Sequence, residues 1–168
     1  TRPNMVASDT MNLWIDIAKP VLTDLISKVD TLLINEEEAK QLTGQDHLPD
    51  AAKAIIKLGP NSTVIKRGEY GATLFGENFS FAAPAYPLER VVDPTGAGDS
   101  FAGGFMGYLA SVDKVDEESL RTAAIAGSTM ASFAVEDFGL DNVKNLTKSD
   151  IDERFKAFVD LTRFNPLT

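Results

Sequence analysis

The pattern of apolar and polar positions along the chain predicts short strands alternating with helices. Residues 4–8 form a candidate first strand, followed by a helix over 20–29 with Val21, Leu22, Leu25, Ile26 and Val29 on one face. The continuous apolar run at 31–34 is the kind of strand that a parallel sheet buries on both faces. Helices follow over 36–43 and 50–58, closed by Gly44 and Gly59, because glycine accepts the left-handed conformation that ends a helix. The sheet resumes at 64–66. Residues 72–75 and 79–83, joined by Gly76-Glu77-Asn78, predict a hairpin at one edge. A helix opens near Asp99, and a long helix rich in small residues spans 120–138 and stops at Gly139. Ser149 is expected to cap a last helix that turns Ile151, Phe155, Phe158 and Val159 inward. Alternation of this kind implies an α/β fold with a parallel sheet and functional residues at the C-terminal ends of its strands.

The densest chemistry lies in Val91-Val92-Asp93-Pro94-Thr95-Gly96-Ala97-Gly98-Asp99-Ser100-Phe101. An Asp-Pro turn leads into a Gly-Ala-Gly segment at the start of an apolar helix. The amides of Gly96, Ala97, Gly98 and Asp99 are then helix-start donors, and the helix dipole adds to their attraction for a phosphate. Asp99 would repel that phosphate unless it has a task. The natural one is to take the proton of a hydroxyl that attacks phosphorus. A turn that merely caps a buried helix is the plainer alternative. No G-x-x-x-x-G-K-[ST] segment occurs, and Phe101 stands where a dinucleotide fingerprint needs its third glycine. The only histidine, His47, is far upstream, which argues against a serine-histidine hydrolase built on Ser100.

Residues 93–101 resemble the second signature of the ribokinase/PfkB carbohydrate kinase family, D-T-T-G-A-G-D-x-F, with Pro94 as the sole departure. The resemblance implies a ribokinase-like three-layer α/β/α fold with a mainly parallel central sheet, of which residues 1–168 form the nucleotide-binding and catalytic portion. It implies Asp99 as catalytic base, with the Gly96, Ala97 and Gly98 amides as anion hole. Asn35-Glu36-Glu37-Glu38 is similar to the family's N-x-x-E motif, which makes Asn35 and Glu38 candidates for holding Mg²⁺ through waters. An N-capping Asn35 followed by first-turn acids is the alternative for that segment. Lys66-Arg67-Gly68-Glu69-Tyr70-Gly71 resembles the family's turn beside the nucleotide, so Gly68 and Gly71 are candidate backbone contacts and Lys66 a candidate side-chain contact. Strand alternation keeps Lys66 and Arg67 from facing the same ligand. Residues 123–139 resemble the segment that packs on adenine, with Ala126 and Gly127 as contacts, and Asp93 and Thr95 would complete a K⁺ site with it.

The expected activity is phosphoryl transfer from ATP to a hydroxyl of a sugar. A nucleoside kinase of the same fold and a non-catalytic nucleotide-binding module are the alternatives. Complete family members are longer, and the part that supplies the first strands, the lid and most sugar contacts has no counterpart in these residues. A chain lacking that part is expected to expose an apolar edge and to associate as a homo-oligomer.

Composition narrows the partners. Sixteen basic against twenty-five acidic residues give a net charge of -9, which disfavours nucleic acid and anionic membranes. The chain has no cysteine and shows neither a signal peptide nor a long apolar span, so a cytoplasmic location is expected. Asp9 reads as a turn or cap residue, Trp14 as a packing residue and His47 as a surface one.

Overall fold

The computed structural model describes residues 3–139 and 141–165, so the outer ends of the expected 1–168 portion lie outside the described residues. Five strands form one sheet in the order β1 (Ala7–Asp9), β2 (Thr31–Asn35), β3 (Ser62–Lys66), β4 (Ala72–Gly76) and β5 (Ser80–Ala83). β1, β2 and β3 pair in parallel, and the β4–β5 hairpin continues the sheet antiparallel, so β4 alone runs against the rest.

The pleat sends alternate residues to opposite faces, and the apolar runs of β2 and β3 supply both. Leu32, Ile34 and Ile65 pack against α1 (Asn12–Ile26), α2 (Glu36–Thr43) and α3 (Leu48–Ile56). Leu33, Val64, Ala72 and Leu74 face α4 (Ala97–Ala110) and α5 (Glu117–Ala134) on the other side, through Phe101, Phe105, Leu109, Ala123 and Ala124. Two separate cores on one sheet make the three layers. Two further helices, α6 (Asp141–Lys144) and α7 (Lys148–Thr162), follow, and α7 packs on α5. Among the described residues no helix is long and apolar enough to cross a membrane.

Several elements begin where local chemistry, rather than apolar period, sets the boundary. The first helix opens at Asn12, not at residue 20, and Pro20 sits inside it. Proline lacks an N–H and its ring crowds the carbonyl four residues back, and the chain bends at Ala18, whose φ of -139° is non-helical. The expected face is therefore divided. Leu22, Ile26 and Val29 are buried, whereas Val21 and Leu25 are exposed, and Trp14 is exposed rather than packed. The long helix starts at Glu117 because Asp116 and Ser119 cap each other, Asp116 accepting the Ser119 N–H and Ser119 Oγ accepting the Asp116 N–H. Bonding to Lys114, then to the Ser119 N–H, lowers the Asp116 carboxyl to about 2. That helix ends at Ala134, and a turn covers the stretch up to Gly139. The last helix is capped by Thr147, not Ser149, with Thr147 and Asp150 forming the reciprocal pair. Of its four expected inward residues, Phe158 is fully buried and Val159 is exposed.

Candidate nucleotide and phosphoryl-transfer site

The C-terminal ends of the parallel strands gather the polar side chains. Asn35 and Lys66 are register partners at the ends of β2 and β3, and Asp9 ends β1 beside Leu33. Lys66 leans across the end of β2, and its Nζ donates to Asp9 Oδ2 at 2.5 Å with both side chains largely buried. Asp9 Oδ1 accepts the Thr10 N–H, and Asp9 is the last residue of β1 rather than a turn or cap residue; the lysine is a partner that sequence did not indicate.

Asn35 caps α2. Its Oδ1 accepts the Glu38 N–H at 2.8 Å, and Glu38 Oε2 accepts the Asn35 N–H at 3.1 Å. Glu38 is only 8% exposed, and burial holds its carboxyl above the usual glutamate range. The Asn35 amide and Lys66 pull the other way, while Asp9 adds to the rise. The N-x-x-E segment is thus a capping box at a strand end. Among the described residues no three histidine, aspartate or glutamate side chains converge as a metal-ligating group. One buried carboxylate and one amide suit an ion that keeps most of its waters and takes other oxygens from phosphates, as Mg²⁺ does.

The chain enters α4 through Gly96 at the N-cap, whose φ of 79° is left-handed and favours glycine. Of the four expected donors, the Ala97 N–H is already given to Pro94 O at 3.2 Å. The Gly96, Gly98 and Asp99 amides have no acceptor among the described residues. Asp99 itself is exposed on the first turn, and its carboxylate takes part in no hydrogen bond or ion pair among the described residues. Gly98 meets the lysine: a Cβ there would lie 3.2 Å from Lys66 Nζ. The free amides and the ammonium therefore adjoin.

A cavity of about 750 Å³ opens beside them, within the size range of small-ligand pockets. Its walls are Asn35 and Lys66, the turn of Gly68, Glu69 and Gly71, the 85–94 loop, the α4 start at Ala97 and Gly98 with Phe101, and one face of α5. Among the described residues Lys66 is the only cationic side chain in that wall. Arg67, just past the end of β3, turns away to Glu36, 3.0 Å distant, and lies over Tyr70.

Of the expected site residues, Gly96, Asp99, Glu38 and Asp93 are not in that wall, and three expected nucleotide contacts fall elsewhere. Ala126 and Gly127 are not in the wall, because they are the small residues that let α4 and α5 close on each other. A Cβ on Gly127 would come within 2.9 Å of Phe101, and one on Gly104 within 2.6 Å of the Ala126 carbonyl. The face that α5 does present carries Ser128, Ala131 and Ser132, with Val135 just past its end. Thr95 is exposed in the turn before α4, its N–H bonded to Asp93 Oδ1 at 2.9 Å. That bond, first among its causes, lowers the Asp93 carboxyl. The turn is tied to the end of α5, where Val135 O accepts the Val92 N–H at 2.8 Å.

A clamp from α7 supports the far wall and carries no sequence motif. The Arg154 guanidinium lies 4.1 Å from the Phe133 ring centroid and 4.4 Å from that of Tyr86. It also donates to Ser132 Oγ at 3.0 Å and Glu136 Oε1 at 3.1 Å. Tyr86 and Ser132 both line the cavity.

Residues 3–147 match the model of the pfkB family carbohydrate kinases. A cytidine kinase of Thermococcus kodakarensis is 41% identical over 93 residues, which are 54% of this chain and 33% of that protein. A ribokinase of Arabidopsis thaliana is 37% identical over 117 residues, 65% of this chain and 30% of that protein. The crystal structure of aminoimidazole riboside kinase from Salmonella enterica, complexed with aminoimidazole riboside and an ATP analog, superposes with a TM-score of 0.80 at 25% identity. The overlap covers 90% of this chain and 52% of that one. The chain thus spans about a third of the length of these curated relatives and about half of the solved structure.

Proposed function

The chain belongs to the pfkB family of carbohydrate kinases, and from that premise we propose that its gene product transfers the terminal phosphoryl group of ATP to a hydroxyl of a sugar or nucleoside. One observation carries the reading: an unpaired aspartate, Asp99, stands on the first turn of α4 beside free helix-start amides. A first-turn carboxylate suits the helix dipole in any fold, and beside unfilled helix-start amides it also has a chemical use in phosphoryl transfer.

The roles follow from placement. The base of ATP lies in the cavity between the 85–94 loop and α5, and its phosphates run to the Gly96, Gly98 and Asp99 amides and Lys66. Gly68 and Gly71 contact it through backbone. Asp99 accepts the proton of the acceptor hydroxyl as that oxygen bonds to the terminal phosphorus. The bond from phosphorus to the bridging oxygen breaks, and ADP leaves with the electron pair. Asn35 and Glu38 would hold Mg²⁺ through waters, and the bound ion would neutralise phosphate charge. Oxygens of the Asp93–Thr95 turn, tied to α5 at Val135, would hold K⁺.

A nucleoside acceptor gains support from the relatives: one is a cytidine kinase, and the Salmonella enterica structure holds a riboside. The test is transfer of labelled phosphate from ATP to a panel of sugars and nucleosides by the full gene product. Asp99→Asn should lower kcat by about a hundredfold or more, the ordinary worth of a general base, and leave ATP affinity nearly unchanged. A near-normal kcat would remove Asp99 from the chemistry. ATP binding with no transfer to any acceptor would favour a nucleotide-binding module without catalysis.

A further inference from the structure

We propose that Asp9 is a positioning residue for the phosphate site, acting through Lys66: it fixes the lysine ammonium against the Gly98 end of α4. The inference rests on the nucleotide reading above and adds to it a residue from the opposite side of the three-strand parallel unit.

Lysine carries more rotamer freedom than almost any other side chain, and an ammonium is a point charge whose effect depends on where it is held. Lys66 is bonded to Asp9 and close enough to Glu38 for that carboxyl to feel its field. Left alone, its tip could settle on Glu38. The bond to Asp9 Oδ2 instead draws Nζ across the end of β2. In that posture Nζ stands 3.2 Å from where a Gly98 Cβ would be. An ammonium has three donors, and Asp9 takes one. The others remain beside the free amides.

Asp9 is itself fixed. Its second oxygen accepts the Thr10 N–H at 2.8 Å, and its backbone belongs to β1. A carboxylate anchored at one oxygen and paired at the other sets the position of its partner, in the way that outer partners orient groups that touch a ligand. The pair joins residues 57 positions apart, which is why neither local sequence carries it.

The experiment is calorimetric titration of the full chain with ADP and, separately, adenosine. It uses wild type, Asp9→Asn, Lys66→Met and the double variant. Asparagine keeps an oxygen for the Thr10 N–H and removes the charge that holds the lysine. Lys66→Met should weaken ADP about tenfold, in line with loss of a charge-assisted bond, and Asp9→Asn about threefold to fivefold. Adenosine affinity should stay within about twofold in both, because it has no phosphate to meet the ammonium. In the Lys66→Met background, Asp9→Asn should have no further effect on ADP. Asp9→Glu should recover part of the loss.

Equal weakening of ADP and adenosine would reduce Asp9 to a structural role and overturn the proposal. So would tighter ADP binding by Asp9→Asn, which would make Asp9 a brake on Lys66, or unchanged ADP affinity in both single variants. If wild type binds neither ADP nor adenosine, the nucleotide reading itself falls, and this inference with it.

Discussion

Gly98→Ala should make the fold more stable and the phosphate site weaker, two effects of opposite sign from one methyl group. Gly98 lies inside α4 with ordinary helical backbone, so alanine fits without strain. Alanine is the better helix former by about 1 kcal/mol in a helix interior, and the gain in a first turn should be about half of that. For a chain of this size such a gain raises Tm by about 1–3 °C. The new Cβ would stand 3.2 Å from Lys66 Nζ and 3.9 Å from its Cε. Comfortable heavy-atom contact is roughly 3.5–4.0 Å, so the ammonium must retreat by a few tenths of an ångström. Being the tip of a flexible side chain, it can do so at little cost to the fold. The move stretches the bond to Asp9 and withdraws charge from the free amides. Weakening one charge-assisted contact by about 1 kcal/mol corresponds to about a fivefold loss of ADP affinity. Thermal unfolding and calorimetric titration on the same samples read both effects. A rise in Tm with undiminished ADP affinity would refute the placement of Lys66 at the phosphates, and a fall of several degrees would refute the helical setting of Gly98.

Two other predictions concern charge and surface. Burial raises the Glu38 carboxyl, so above the ordinary glutamate value of 4.5 the native state binds more protons than the unfolded chain, and stability falls as pH rises through that window. Glu38→Gln should abolish this slope in urea unfolding measured from pH 4 to 7, and an unchanged slope would mean that Glu38 does not carry it. Leu13 and Ile17 before the bend in α1 and Val21 and Leu25 after it are exposed, Ile17 and Val21 being 68% and 70% exposed, and β1 is an edge strand. The chain should therefore self-associate at micromolar to millimolar concentration, and Ile17→Lys with Val21→Lys should suppress this in light scattering; a wild-type monomer throughout would contradict it.

The parts of the fold that sequence revealed were those governed by nearest-neighbour chemistry. Helix α2 appears over its expected residues because Asn35 opens it and Gly44, at φ 69°, closes it. The apolar run at 31–34 lies in β2, a strand buried on both faces, and the hairpin turn lies between β4 and β5 as its glycine and asparagine suggested. Errors came where two signals of similar strength competed. Pro20 resembled a helix start but lies within a bent helix, and Ser149 was expected as the last cap, whereas the reciprocal bond with Asp150 puts the cap at Thr147. Small residues in α5 carried two meanings. Ala126 and Gly127 serve helix packing, while Ser128 and Ser132 on the next face line the cavity. What sequence could not reveal was anything made by long-range closure: Lys66 on Asp9, Arg154 between Tyr86 and Phe133, and the pairing of the 85–94 loop with α5.

The most direct measurement is a titration of the isotopically labelled chain with ADP, following backbone amide resonances. Phosphates seated at the start of α4 should shift the Gly96, Gly98 and Asp99 signals progressively to saturation, while adenosine should move Ser132 and Val135 on the cavity wall and leave those three near their starting positions. Saturable ADP binding that leaves the three amides unmoved would contradict the account.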